Sequence, residues 1–277
     1  MGQFNDLRDV AQLYDEKTRG SNSAMNLALA SQDGLFFNHN GLHGGEIGDV
    51  PKIADDEGRL QLVHAMELEL VRVGQEYLGD IGPGAVVLDA GCGAGGGAIV
   101  MHKNYGCAVE GVTLSLEQAR FGQEAAAAHG VSAHVQFTVG DMGGYAEAAG
   151  PFDAVWACES TEHVDDLEKL FRSFRRALKP RGRIVVIAWC AGSGAEADKM
   201  KETVDRHYLT NISPPAEYRR AATAAGLTVT NEVDLTAPCV PYWQVRSTSD
   251  KATGSEKFML PAFSSSLLTY NLFVLEA

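Results

Sequence analysis

From Val87 to Gly95 the chain reads Val-Leu-Asp-Ala-Gly-Cys-Gly-Ala-Gly. A short apolar run of this kind is a buried strand. The glycines behind it let the backbone turn tightly and approach a ligand without Cβ contact. Gly96 to Asn104 then reads as a helix, whose first amides would face the polar end of that ligand. Strand, glycine turn and helix open a nucleotide-binding α/β fold. Gly91, Gly93 and Gly96 also satisfy the dinucleotide spacing G-x-G-x-x-G, so the run restricts the fold more tightly than the cofactor.

The pattern continues as the fold demands. Strands are expected at Ala85 to Ala90, Cys107 to Thr113, His134 to Val139, Phe152 to Ala157 and Arg183 to Cys190. Between them, Ser115 to His129 reads as a helix opened by a Ser cap, and Val164 to Leu178 as a helix stopped by Lys179-Pro180-Arg181-Gly182. Two further strands, Leu227 to Leu235 and Leu267 to Leu275, bring the total to seven. The expected fold class is α/β: a doubly wound, mostly parallel, seven-stranded, Rossmann-like sheet covered on both faces.

Two segments fall outside that core. Residues 1–58 form an expected N-terminal lid, with a short helix from Asp6 to Lys17 carrying Leu7, Val10, Ala11 and Tyr14 on one face, and a Gly-, His- and Asn-rich loop from Asn38 to Gly48. Residues 59–277 form the core, entered by an amphipathic helix from Arg59 to Leu78 and interrupted by a helical insertion at about 191–225. That insertion contains two helical stretches divided by Ile212-Ser213-Pro214-Pro215. Doubly wound sheets bind ligands at the carboxyl ends of their strands, so lid and insertion are expected to build an acceptor pocket there.

Composition narrows the partners. The chain has 277 residues and a formal net charge of -13, which argues against a nucleic-acid binder that must neutralise phosphates. The five cysteines are odd in number and lack CxxC spacing, so neither a disulfide framework nor a zinc site is expected, and no metal ligands are assigned. Met1 to Asp15 has no apolar core of a signal peptide, and no apolar run would span a bilayer. A cytoplasmic protein is expected.

The acid two residues before the first glycine separates the candidate cofactors. Leu-Asp-Ala-Gly-Cys-Gly resembles the first motif of class I methyltransferases, which implies S-adenosyl-L-methionine held by Asp89, Gly91 and Gly93. The second strand ends Gly111-Val112-Thr113-Leu114-Ser115, with Thr113 where most nucleotide-binding folds place an acid for the ribose. Gly-Val-Thr-Leu-Ser-x-x-Gln looks like the variant found in C-methyltransferases acting on alkenes. The resemblance gives Gln118 the ribose contact, beside Thr113 and Leu114. Asp141 and Met142, after the third strand, are matched to the adenine amino group and ring, and Ala157 to the cofactor wall. Asp141 also reads as a helix cap.

The fourth strand runs into Cys158-Glu159-Ser160-Thr161-Glu162-His163. Alkene methylation leaves a carbocation, which must be steadied and then lose a proton or rearrange. Carboxylates and aromatic faces suit the cation, and a carboxylate or neutral imidazole suits proton removal. Glu159 and His163 are the candidate catalytic residues, brought to one face if a helical turn follows the strand. Cys158 reads as a small buried residue, because methyl transfer from a sulfonium is direct.

Several further segments resemble the prenyl (geranyl) diphosphate C-methyltransferases. They are Gln32-Asp33-Gly34-Leu35-Phe36-Phe37-Asn38-His39, the glycine run, Glu159-Ser160, Asn211-Ile212 with Glu217-Tyr218, and Pro241-Tyr242-Trp243-Gln244-Val245-Arg246-Ser247-Thr248-Ser249. The resemblance implies a glutamate at position 159 near the reacting alkene and an aromatic residue near Tyr208 to steady the cation. It implies Tyr242 and Trp243 in or near the pocket wall, and polar groups around Asn38 and His39 that hold a diphosphate with magnesium. It also implies a homo-oligomer. Two departures touch the acceptor site: His39-Asn40-Gly41-Leu42 lacks the family's tyrosine, and His163 stands where the family often has an aromatic residue. Two acceptors stay open, a prenyl diphosphate with Mg2+ or a prenyl side chain already attached to another metabolite. O- or N-methylation of a small metabolite is the alternative activity.

Overall fold

The computed structural model describes residues 6–20, 23–44, 53 and 55–277. Helices α1 (Leu7–Arg19), α2 (Ala24–Ala30) and α3 (Asp56–Gln75) precede the sheet. Then come β1 (Val86–Ala90), α4 (Gly96–Tyr105), β2 (Ala108–Thr113), α5 (Leu116–Ala128), β3 (Val135–Val139), α6 (Met142–Ala149), β4 (Phe152–Cys158), α7 (Leu167–Ala177) and β5 (Leu178–Ala191). The chain closes with α8 (Ala195–Tyr208), α9 (Pro215–Ala224), β6 (Thr228–Asp234), α10 (Thr236–Arg246), α11 (Glu256–Ser264) and β7 (Leu268–Glu276).

The seven strands lie in the order β3-β2-β1-β4-β5-β7-β6. The first five are parallel, and β7 runs antiparallel between β5 and β6. Strand order reverses between β1 and β4, which opens a crevice at their carboxyl ends. The central strands are buried on both faces, so they read as continuous apolar runs, as in Ile184 to Cys190. Alternation along β5 sends Val185, Ile187 and Trp189 to one face and Ile184, Val186, Ala188 and Cys190 to the other. The second face packs on α6, α7 and α9, whose Ala146, Phe171 and Tyr218 it buries. The first packs on α3, α4, α5, α10 and α11. Met25, Leu29, Leu35, Phe37 and Leu42 join that same core, so the N-terminal segment is packed into the fold.

Several elements depart from the sequence expectation. The helix expected from Val164 starts at Leu167, capped by Asp166, whose side chain accepts from the Lys169 amide. It ends at Ala177, next to the expected stop, and Lys179 to Gly182 form the start of β5 rather than a turn. Helices α2, α6, α10 and α11 were not anticipated. Pro241 lies inside α10 and Pro261 inside α11, and proline in a periodic run reads as a breaker. The loop expected from Asn38 to Gly48 is irregular as far as Gly44; its remainder lies outside the described residues. All five cysteines are free thiols. Among the described residues no helix is long and apolar enough to cross a membrane.

Candidate active site

The crevice at the carboxyl ends of β1, β2 and β4 contains a cleft lined by Asp89, Gly91, Gly93, Thr113, Leu114, Gln118, Asp141 and Met142. Gly91 sits at φ 82°, and a Cβ there would stand 2.2 Å from the Ser160 Cβ, so only glycine lets β1 and the end of β4 approach so closely. Gly93, at φ 54°, leaves the space beneath Asn38 open. Asp89 is buried without a hydrogen-bond partner among the described residues, and burial raises its carboxyl to about 7.

Thr113 explains how the cleft manages without an acid at the end of β2. Its hydroxyl donates to Gln118 Oε1 at 2.6 Å. That fixes the carboxamide and leaves Nε2 on the side of Gly93, as a donor where the usual acid would be an acceptor. Ser115 caps α5 by accepting from the Gln118 amide at 3.0 Å. Asp141 both lines the cleft and caps α6, accepting from the Gly144 amide at 2.7 Å. Ala157 is a correction to the expected cofactor wall. Strand alternation points its side chain into the core beneath the sheet, and its neighbours Trp156 and Cys158 face the cleft instead.

A second cavity, of about 390 Å³, adjoins the first, with Tyr14, Phe37, Asn38, His39, Glu159 and His163 shared between them. The volume is that of a small-molecule site. Tyr208, Tyr242 and Trp243 line it, together with Trp189 and Arg246. The insertion supplies His207 and Tyr208 from α8. Much of the remaining wall comes from the 251–255 turn, which, like Arg246 of α10, the sequence reading had not assigned to the pocket.

Glu159 stands at the junction. It has φ 49° and lies outside any helix, and the following 3₁₀ turn is Thr161–His163. The expected i, i+4 helical pairing with His163 is therefore not formed, although both residues reach the two cavities. The left-handed backbone at a non-glycine residue is the kind of strain that a surrounding structure must hold in place. Glu159 Oε1 accepts from the Asn40 amide at 2.7 Å and from the Tyr270 hydroxyl at 2.6 Å. No hydrogen bond of good geometry reaches Oε2 among the described residues. Burial outweighs these hydrogen bonds and the approach of the Trp189 side chain, and raises the carboxyl to about 8. A carboxylate held by one oxygen and open at the other can face a cation or take a proton.

His163 is placed differently from a free base. Nδ1 donates to the Leu209 carbonyl at 3.0 Å, which leaves Nε2 as an acceptor, and the Tyr14 hydroxyl occupies it at 2.9 Å. Burial lowers this imidazole to about 4, so it is neutral. His39 donates Nδ1–H to the Asn40 carbonyl at 2.7 Å, and its buried Nε2 has no partner among the described residues. The Asn38 Nδ2 is likewise buried and unpartnered. Gly41, in the segment that lacks the family's tyrosine, has no room for a side chain: a Cβ would meet the Met66 Cβ at 2.5 Å.

Several site residues were missed from sequence. Tyr270 sits in an apolar strand and reads as core. Glu162 is fully buried, accepts from the Trp189 amide at 2.7 Å, and is raised to about 7 by burial. Arg246 lay in a quoted motif without a role. It is buried, donates to the Tyr242 hydroxyl and to Glu256 at 3.0 Å each, and lines the second cavity. From the lid, Asp15 accepts from the Ser115 hydroxyl at 2.5 Å and the Glu117 amide at 3.1 Å, docking α1 on the start of α5.

Residues 87–182 match a family model described as a methyltransferase domain. The geranyl diphosphate 2-C-methyltransferase of Streptomyces lasalocidi is 34% identical over 95% of this chain and 88% of its own length. Among solved structures, a geranyl diphosphate methyltransferase in complex with GPP and sinefungin superposes with a TM-score of 0.87 at 30% identity, over 98% of both chains. The geranyl diphosphate C-methyltransferase of Streptomyces coelicolor A3(2), in complex with Mg2+, geranyl-S-thiolodiphosphate and S-adenosyl-L-homocysteine, gives 0.86 at 31% identity, over 98% of this chain and 97% of that one. The chain belongs to the geranyl diphosphate 2-C-methyltransferase family.

Proposed function

We propose that this protein transfers a methyl group from S-adenosyl-L-methionine to an alkene carbon of an isoprenoid diphosphate. The observation that carries the reading is Glu159, anchored through Oε1 and open at Oε2 where the cofactor cleft meets the aromatic-walled cavity. The acceptor π bond attacks the sulfonium methyl. A C–C bond forms, the C–S bond breaks, and the acceptor becomes a tertiary carbocation. Glu159 steadies that charge and accepts a proton from an adjacent carbon, regenerating the alkene. Trp189 lines the same cavity and offers its ring to this cation, whereas Tyr208 and Trp243 already hold Lys17 and Arg246 over their rings at 4.0 and 5.5 Å. His163, with both nitrogens engaged, holds the lid rather than taking the proton.

The cofactor would lie across the glycine turn. Gln118 Nε2 is then a donor to the ribose oxygens, and Asp141 and Met142 flank the adenine. Magnesium fits this chain only as a companion of the diphosphate. Among the described residues no three acids, histidines or cysteines form a metal site, and the carboxylates lining the second cavity are Glu159 and Glu162. One or two carboxylates suffice for Mg2+ when phosphate oxygens and waters complete the shell. The ion would neutralise diphosphate charge.

The test is incubation with methyl-labelled S-adenosylmethionine against two panels, prenyl diphosphates and prenylated metabolites. Label carried into a prenyl diphosphate supports the reading. Label only in the second panel transfers the activity to an attached prenyl chain, and label on oxygen or nitrogen removes the carbon chemistry.

A further inference from the structure

Three cationic side chains, Lys17, Arg246 and Lys251, line the second cavity. Two are matched. Arg246 pairs with Glu256 at 3.0 Å, and Lys251 approaches Asp56 at 3.7 Å. Lys17 has no carboxylate within ion-pair distance and no hydrogen-bond partner among the described residues. Its ammonium lies over the Tyr208 ring at 4.0 Å and near the Tyr14 ring at 5.2 Å. Cation–π contact gives back only part of what an ammonium loses on leaving water. The remaining field worsens the balance: burial and the positive charge of Arg246 together push Lys17 down to about 7.

Glu159 and Glu162 line the same cavity but lie beyond ion-pair distance of Lys17, so the lysine stands beside an arginine with no anion of its own. Among the described residues of the lid no carboxylate pairs with it, and Asp15, on the same helix, is spent on Ser115 and Glu117. The missing charge must enter with the ligand. We propose that Lys17 grips the phosphate head group of the acceptor, so that the N-terminal helix carries the selectivity for a phosphorylated over an uncharged prenyl chain. This rests on the function proposed above and adds a residue to it. The head group gives Lys17 an ion-pair partner, and it draws α1 down over the bound acceptor.

Kinetics of the full chain with labelled S-adenosylmethionine test this, using geranyl diphosphate, geranyl monophosphate and geraniol as acceptors. In Lys17→Met the KM for the diphosphate rises roughly 10- to 100-fold, the scale of one charge-assisted contact, while kcat and the KM for the cofactor move less than threefold. The penalty shrinks for the monophosphate and vanishes for the alcohol. Lys17→Arg keeps the charge and recovers most of the loss. An unchanged diphosphate KM in Lys17→Met overturns the proposal. So does an equal rise in cofactor KM, which would make Lys17 a docking residue of the lid. A fall in kcat alone that arginine does not rescue would make the lysine a proton acceptor and sink the grip. If the wild type methylates only uncharged acceptors, the diphosphate reading fails and takes this role with it.

Discussion

The Tyr14 hydroxyl donates to Nε2 of His163 across 2.9 Å, from the N-terminal helix to the loop after β4. The rings also meet edge to face at 5.3 Å. Because Nδ1 is held by the Leu209 carbonyl, this one bond ties the lid, the β4 loop and the insertion together. A double-mutant cycle on Tyr14→Phe and His163→Asn should give a coupling of about 1 kcal/mol in unfolding free energy. Under the lid assignment, Tyr14→Phe alone raises the KM of both substrates. If His163 is instead the working base, freeing its Nε2 leaves KM alone and raises kcat.

Glu159 links cofactor binding to protons. Its carboxyl, raised to about 8, is mostly protonated at pH 7 before a cofactor binds. The sulfonium of S-adenosylmethionine favours the ionised form, so its binding at pH 7 releases protons, and S-adenosylhomocysteine, which lacks that charge, releases fewer. Calorimetry in two buffers of different ionisation enthalpy measures the difference, which shrinks in Glu159→Gln. Equal release for the two ligands contradicts the linkage.

The same group has a stability consequence. An acid whose folded value lies above its unfolded value keeps a proton that the unfolded chain gives up. The native state is therefore favoured below about 4.5 and loses that advantage as pH climbs to about 8. Glu159→Gln cannot ionise, so its melting temperature relative to wild type should rise between pH 5 and pH 8. A constant difference across that range would place the carboxyl in a more polar setting than the one described.

Asp15 holds α1 over the cofactor cleft through the cap of α5. Asp15→Ala removes an acceptor from both Ser115 and the Glu117 amide, at a cost of about 1–2 kcal/mol. The expected readout is a several-fold higher Kd for S-adenosylhomocysteine with secondary structure retained. Unchanged affinity would mean that the helix adds nothing to cofactor retention.

Gly91→Ala forces a Cβ against Ser160 at φ 82°. Expected are a loss of about 2 kcal/mol or more in stability and cofactor binding too weak to saturate. Equilibrium binding and denaturant unfolding report the two separately.

The core was legible because its signals are local. Each parallel strand is a short run buried on both faces, and the glycine turn, the Ser115 cap and the Asp141 turn each announce themselves within a few residues. The second cavity was legible in outline, from the lid and insertion expected over the strand ends and from the carboxylate at Glu159, and through family resemblance at Tyr208, Tyr242 and Trp243. Its other parts are long-range relations. Tyr270 reaches Glu159 from 111 positions away, and the Tyr14–His163 bond spans 149. No periodicity carries such pairings. Helix α10 was hidden by Pro241, tolerated because neighbouring packing holds Tyr242, Trp243 and Arg246 in the wall. The pairing of Glu159 with His163 failed for a backbone reason, since the strained turn at Glu159 precedes the helical turn.

The most direct measurement is single-turnover methylation of geranyl diphosphate by Glu159→Gln at saturating S-adenosylmethionine. The account predicts a rate at least about 100-fold below wild type, the scale of one proton-transfer group, with cofactor Kd changed less than threefold. Full activity with an unchanged methylated product would contradict it.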